Sequence, residues 1–298
     1  MTSGSYRLAL LAAAATGVQV GAALVATRLV VADTTPVMLA LLRYAIGAAC
    51  LLPVLWHSGG VRFARRDLLP MALLGIAQFG VLIALLNFGL KTVPAARAAL
   101  LFAIFPLLTM LLAAAAGRER LSVARSAGVL LSIAGVGVAL GYRSLAAGPG
   151  AGWAGEAAVL AAALLGAVCS LLYRPYLRRY PALPVSTFAM LAAVVFLALV
   201  AAGEGSLHAL PAFTLAGWGA VLFIGVSSGI GYFLWLYALA GAPATQVTVF
   251  LALSPITAAL LGVWLLGEAL DAHTLGGLVL VVAGLGLALW QRKSAPTP

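Results

Sequence analysis

The chain has 298 residues, of which 64% are hydrophobic and only 8% charged, and it carries a formal net charge of +10. Soluble globular proteins are about one-quarter charged, so a water-facing surface is excluded and the chain reads as an integral membrane protein. Its basic residues stand singly or in small groups between apolar runs, which excludes the continuous basic face that nucleic-acid binding needs.

Taken in order, apolar runs cover residues 8–27, 36–56, 68–90, 94–116, 122–141, 154–174, 185–203, 214–240, 243–266 and 272–290. Each is long enough to cross about 30 Å of hydrocarbon as a helix. Helices are predicted because lipid offers no partner to an open strand edge, and the runs lack the alternation of an outer-membrane barrel. The first run follows Arg7 and resembles a signal peptide, but it exceeds an apolar core of roughly 7–15 residues and is read as a retained span. The longest connection, 142–153, is rich in Gly, Pro and Ala and divides the chain in two. Cys50 and Cys169 fall inside apolar runs and read as small buried hydrophobes, with neither a disulfide framework nor a metal site expected.

Residues 85–140 align without a gap on 234–289. Pro94 meets Pro243, Pro106 meets Pro255 and Glu119 meets Glu268, while Gly128, Gly135 and Gly137 meet Gly277, Gly284 and Gly286. The separation is 149 throughout, half of 298, so one unit is written twice: residues 1–149 and 150–298, each of five spans. Orientation follows Lys and Arg. With the N-terminus inside, Arg7, Arg62, Arg65, Arg66, Arg118, Arg120, Arg125, Arg174, Arg178, Arg179, Arg292 and Lys293 are cytoplasmic, against Arg28, Lys91, Arg97 and Arg143 outside. Five is an odd number, so the second unit enters from the opposite side. The expected fold is an all-α membrane protein: ten transmembrane helices forming two inverted five-helix repeats around a central cavity, with both termini cytoplasmic. Secondary transporters recur on this plan and hold cargo near the midplane, where the repeats meet.

The paired prolines, the Glu-x-Leu that follows them (Glu119-Arg120-Leu121 and Glu268-Ala269-Leu270) and the Gly-rich closing helix of each half resemble the EamA family of the drug/metabolite transporter superfamily. The resemblance covers nearly the whole chain, and within the family it is nearest to bacterial exporters of amino acids, aromatic ones included. It implies ten spans, inward termini, a cavity lined mainly by spans 1, 3, 4, 6, 8 and 9, no cofactor, and no ATPase of its own, while the Ala/Gly/Arg-rich composition suggests a bacterium and hence an inner-membrane location.

On helical wheels, polar and aromatic side chains gather on one face of several spans. The candidate substrate-binding set is Thr16 and Gln19; Gln78; Arg97 and Phe102; Ser170 and Tyr173; Ser228, Tyr232 and Trp235; and Gln246, Phe250 and Ser254. Each hydroxyl is read either as helix–helix glue or as a cargo contact; the large amides and mid-span rings favour cargo. Trp56, Trp218, Trp264 and Trp290 lie nearer span ends and read as an interfacial belt. The half-span prolines either kink their helices or free carbonyls for a ligand. Arg43 and Arg97 are the charges nearest membrane depth, where a charge is a functional hypothesis by default; Arg97 either snorkels outward or binds a carboxylate. Lying opposite Gln246 in the alignment, it is expected to face the same cavity from the opposite side. Glu119 and Glu268, at span ends, read either as caps or ion pairs of the loop or as proton carriers. No span carries a central Asp or Glu, which points to downhill or exchange transport rather than a proton relay.

An enzyme is not expected. Gly225-Val226-Ser227-Ser228-Gly229 matches the G-x-S-x-G elbow of hydrolases but lies in an apolar helix, where close packing explains it better. His57, His208 and His273 stand at span ends or in a loop, so no catalytic residue, cofactor or metal is assigned. The expected function is export of small neutral or zwitterionic metabolites, foremost amino acids with aromatic or hydrophobic side chains, by alternating access. Purines, sugars or drug-like compounds are the alternative cargo, and a non-transporting scaffold or channel is the alternative class. The expected partners are a small-molecule substrate and the bilayer, with no nucleic acid and a monomer favoured.

Overall fold

The computed structural model describes residues 3–57, 61–117, 123–146, 153–208, 211–269 and 271–289. All regular structure among them is helical. In chain order the helices are α1 (Ser3–Val30), α2 (Pro36–His57), α3 (Arg65–Gly75), α4 (Leu82–Leu90), α5 (Ala95–Phe102), α6 (Phe105–Ala115), α7 (Val123–Ala146), α8 (Ala154–Leu177), α9 (Ala182–Gly203), α10 (Leu215–Gly241), α11 (Ala244–Val249), α12 (Leu253–Leu266) and α13 (Ala272–Leu289). Arg118, Glu119, Arg120, Leu121, Leu270, Trp290, Arg292 and Lys293 lie outside the described residues, as do the side chains of Arg125 and Arg143.

Among the described residues, eight segments are long and apolar enough to cross a bilayer: Ser5–Asp33, Pro36–His57, Arg65–Leu90, Ala95–Ala115, Ala154–Leu177, Ala182–Gly203, Leu215–Gly241 and Gln246–Leu266. α7 and α13 carry shorter apolar stretches, Ser126–Val138 and Ala272–Gly284. Large apolar side chains such as Leu164, Leu199, Leu222 and Leu260 cover the outside of the bundle, a surface suited to lipid and a liability in water. Trp56 and Trp264 are exposed near helix ends, as an interfacial belt requires.

Among the described residues, three spans are interrupted. Pro106, in the first turn of α6, has no N–H to offer the carbonyl of Phe102, and its ring would clash there. α5 accordingly stops at Phe102 and α6 restarts at Phe105. Pro255, 149 residues on, has the same effect: α11 gives way to a 3-10 turn at Phe250–Ala252 before α12 begins. Between α3 and α4 the backbone instead widens into a π-turn, Ile76–Val81. Such turns are rare and frequent at functional sites.

Among lipid-embedded helices, small residues let backbones approach closely. A Cβ on Gly17 of α1 would strike the Phe250 carbonyl oxygen, and one on Gly21 the Ser254 oxygen. A Cβ on Gly229 of α10 would lie 2.8 Å from the carbonyl oxygen of Gly47 on α2. The G-x-S-x-G segment is therefore a packing face. α7 and α13 cross antiparallel: a Cβ on Gly135 would lie 2.8 Å from Gly277 O, one on Gly284 would lie 2.6 Å from Gly128 O, and Ser132 Oγ donates to Val281 O at 3.3 Å. The remaining packing pairs recur between the halves, α1 on α10 as α8 on α4, α1 on α12 as α8 on α6, and α2 on α10 as α9 on α3.

Candidate functional site

The interrupted spans converge on a cavity that encloses, with its open mouth, ≈ 660 Å³ of empty space. α1 contributes Thr16 and Gln19, α2 contributes Arg43 and Tyr44, and the π-turn contributes Gln78 and Phe79. Phe102 and Leu251, each four residues before a half-span proline, line it from equivalent positions of the two halves. Ser228, Gly231, Tyr232 and Trp235 come from α10.

Its wall is largely apolar, with six aromatic side chains standing among seven aliphatic ones. Phe79 sits edge-on to Tyr232 at 4.1 Å between ring centroids and to Tyr44 at 4.8 Å. Phe105 lies 5.5 Å from Phe102 and 6.0 Å from Trp235. Such rings present wide apolar faces at little entropic cost. The polar groups between them are few. Thr16 Oγ1 donates back to Ala12 O at 2.8 Å, and Gln19 Nε2 donates to Ser227 Oγ at 3.3 Å. Gln78 Oε1 is buried with no hydrogen-bond partner. Arg43, 7% exposed, donates from Nε to Ser228 Oγ at 2.6 Å. Gly47 one turn later brings α2 onto α10 and sets that reach.

Thr16, Gln19, Gln78, Phe102, Ser228, Tyr232 and Trp235 thus line the cavity together. The other expected residues are placed elsewhere. Ser170 donates to Gly166 O at 2.8 Å and Ser254 to Leu251 O at 2.7 Å, so each satisfies its own helix. Tyr173 is buried behind Tyr232, ring centroids 6.3 Å apart. Phe250 turns its carbonyl to Gly17. Gln246 Oε1 accepts from Tyr6 Oη at 2.7 Å near the N-terminal end of α1, and Arg97 pairs with Asp271 Oδ2 at 3.2 Å near the opposite end. The repeat does set these last two toward opposite ends of the bundle, but neither is among the residues lining the cavity. Arg43, Tyr44, Phe79 and Phe105 were outside the expected set; only Arg43 carried a sequence signal, as a charge inside a span.

Polar clusters lie toward both ends of the bundle. At one, Arg28 reaches Leu90 O and lies 3.9 Å from Glu268 Oε1, which also accepts the Ala95 backbone N–H at 3.1 Å. Glu268 therefore caps the first turn of α5, across from its own half. For Asp271, burial is the largest influence and pushes the carboxyl up. Hydrogen bonds from the Thr274 backbone and side chain, with the Arg97 guanidinium, outweigh it and hold the group below the ordinary carboxylate value. At the other end Asp67 accepts from Tyr180 Oη at 2.7 Å and pairs with Arg179 at 3.4 Å.

The EamA-like transporter family model matches residues 7–141 and again 153–290. A probable terminal-alkyne amino-acid exporter of Streptantibioticus cattleyicolor is 34% identical over 245 residues, 80% of each chain. An uncharacterized transporter of Archaeoglobus fulgidus is 26% identical over 278 residues, covering 91% of this chain and 95% of its own. A protein of known crystal structure superposes over 97% of both chains with a TM-score of 0.72 at 24% identity, a likeness of fold alone.

Proposed function

Because the chain belongs to the EamA-like transporter family, we propose that it is a secondary exporter of small neutral or zwitterionic metabolites, chiefly amino acids with aromatic or hydrophobic side chains. The carrier is two five-helix units, 1–149 and 150–298, spanning the membrane ten times in opposite senses, with both termini cytoplasmic in a bacterial inner membrane. The reciprocal contacts of α7 and α13 support the inversion. Gly128 and Gly135 correspond to Gly277 and Gly284; each touches the other's counterpart, and Ser132 meets its own equivalent, Val281. Contacts of this kind are what a two-fold axis generates.

The observation that carries the substrate class is the cavity wall: six aromatic rings around a few unpaired or weakly paired polar groups. The amino-acid export ascribed to the Streptantibioticus relative points the same way. Rocking of one unit against the other would expose this cavity to each face in turn, with Phe102–Phe105 and Phe250–Ala252 as the places where spans bend. Radiolabelled L-phenylalanine counterflow in proteoliposomes tests the reading. Saturable exchange is expected, reduced about tenfold or more by Trp235→Ala, since a large-to-Ala change in a packed aromatic wall removes several kcal/mol of contact. Unsaturable leakage, or exchange indifferent to Trp235→Ala, would refute it.

A further inference from the structure

Arg43 is the one charged residue among the described residues that line the cavity, and no carboxylate lines it with Arg43. No ion pair among the described residues includes it. The residue is the eighth of α2, about 10 Å along the helix axis from its start, well inside hydrocarbon depth. A guanidinium keeps its charge across the working pH range, and charges so placed ordinarily pair or face a functional cavity. Ser228 Oγ takes the Nε proton at 2.6 Å and fixes the plane of the group, while the Tyr44 ring centroid lies 5.7 Å from its central carbon. The two Nη groups have no protein acceptor among the described residues, and they are not among the polar atoms sealed from the cavity. They form the edge of the fork that matches the two oxygens of a carboxylate.

Resting on the carrier reading above, we propose that Arg43 is the carboxylate receptor of the cavity, so that among the carrier's small solutes those bearing a carboxylate, zwitterions included, are preferred over solutes of the same shape without one. The apolar part of the cargo lies against Phe79, Tyr232 and Trp235, and Ser228 acts as a positioning residue by orienting the guanidinium. Recognition of this kind is selective because a solute without the anion leaves a desolvated cation unpaired. A purely structural Arg43, held by Ser228 alone, makes no such distinction.

The test is binding of 3-phenylpropanoate and 3-phenylpropanamide, which differ only in the anionic group, to the full chain in lipid nanodiscs, followed by tryptophan fluorescence. Wild type should prefer the acid by about 10- to 100-fold, the range for a hydrogen bond to a charged group. Arg43→Gln should bring the ratio near one, Arg43→Lys should keep part of it, and Trp235→Ala should weaken both ligands together. If Arg43→Gln cannot be purified, the wild-type ratio and the Arg43→Lys ratio still decide. Equal affinities in wild type, an undiminished preference in Arg43→Gln, or no binding of the acid would each overturn the proposal. L-phenylalanine counterflow with an acid-to-amide ratio of one removes the role of Arg43 and leaves the carrier. A preserved ratio without counterflow removes the carrier and leaves the receptor.

Discussion

Among single residues, the charged side chains divide by the partners they find. Arg97 and Arg28 lie at one end of the bundle, where Asp271 and Glu268 of the other half meet them. Arg43 meets only a hydroxyl and the Tyr44 ring, a placement that is costly at membrane depth and persists where function or a ligand offsets it. The Arg97–Asp271 pair gives a pH signature. A carboxyl held below its ordinary value stabilises the fold above the unfolded-state value, about 3.9, and loses that contribution as pH falls through the lowered folded value. Thermal unfolding of Asp271→Asn in detergent should fall below wild type at neutral pH, and the gap should close only beneath about pH 4. A gap unchanged at acid pH would remove the pair from the account.

At the level of elements, the proline breaks carry the mechanics. Pro106 and Pro255 each end the helix before them at equivalent positions, and Phe102 and Leu251 at those breaks face the cavity. A continuous helix would be the more stable local structure, since an interior proline costs about 3 kcal/mol. Pro106→Ala and Pro255→Ala should therefore leave the unfolding temperature unchanged or raised, while slowing L-phenylalanine counterflow severalfold. Full exchange rates in both variants would show that the breaks are passive kinks. The π-turn at Ile76–Val81 has no counterpart in α10, which runs unbroken from Leu215 to Gly241, so the two walls of the cavity are not equivalent. Gln78 and Phe79 enter through that asymmetry.

For the molecule as a whole, the two polar clusters mark its two ends: Arg28, Arg97, Glu268 and Asp271 at one, Asp67, Arg179 and Tyr180 at the other. The first lies where few basic residues gather and the second where many do, which assigns them to the outer and cytoplasmic faces under the orientation proposed above. In a Cys50→Ala background, Lys91→Cys should react with an impermeant maleimide in intact cells and Arg178→Cys only after permeabilisation. Labelling of both from outside would reverse or dissolve that orientation.

Membrane residence, helical structure, family likeness and many of the cavity residues were legible in the chain, because lipid penalises unpaired backbone and stray charge so heavily that composition and spacing record the outcome. Thr16, Gln19, Gln78, Ser228, Tyr232 and Trp235 stood out as polar or aromatic groups on apolar helices for the same reason. Their separation from Ser170, Ser254 and Gln246 was not legible, since a hydroxyl that bonds its own helix and one that faces a cavity look alike in a string of letters. The pairing of Arg97 with Asp271, 174 positions away, and the isolation of Arg43 beside Ser228, 185 positions away, arise from helix contacts between the halves. No periodicity encodes which charge meets its opposite; distance in space settles that, and it is fixed only when the backbones close on one another through Gly17, Gly47 and Gly229.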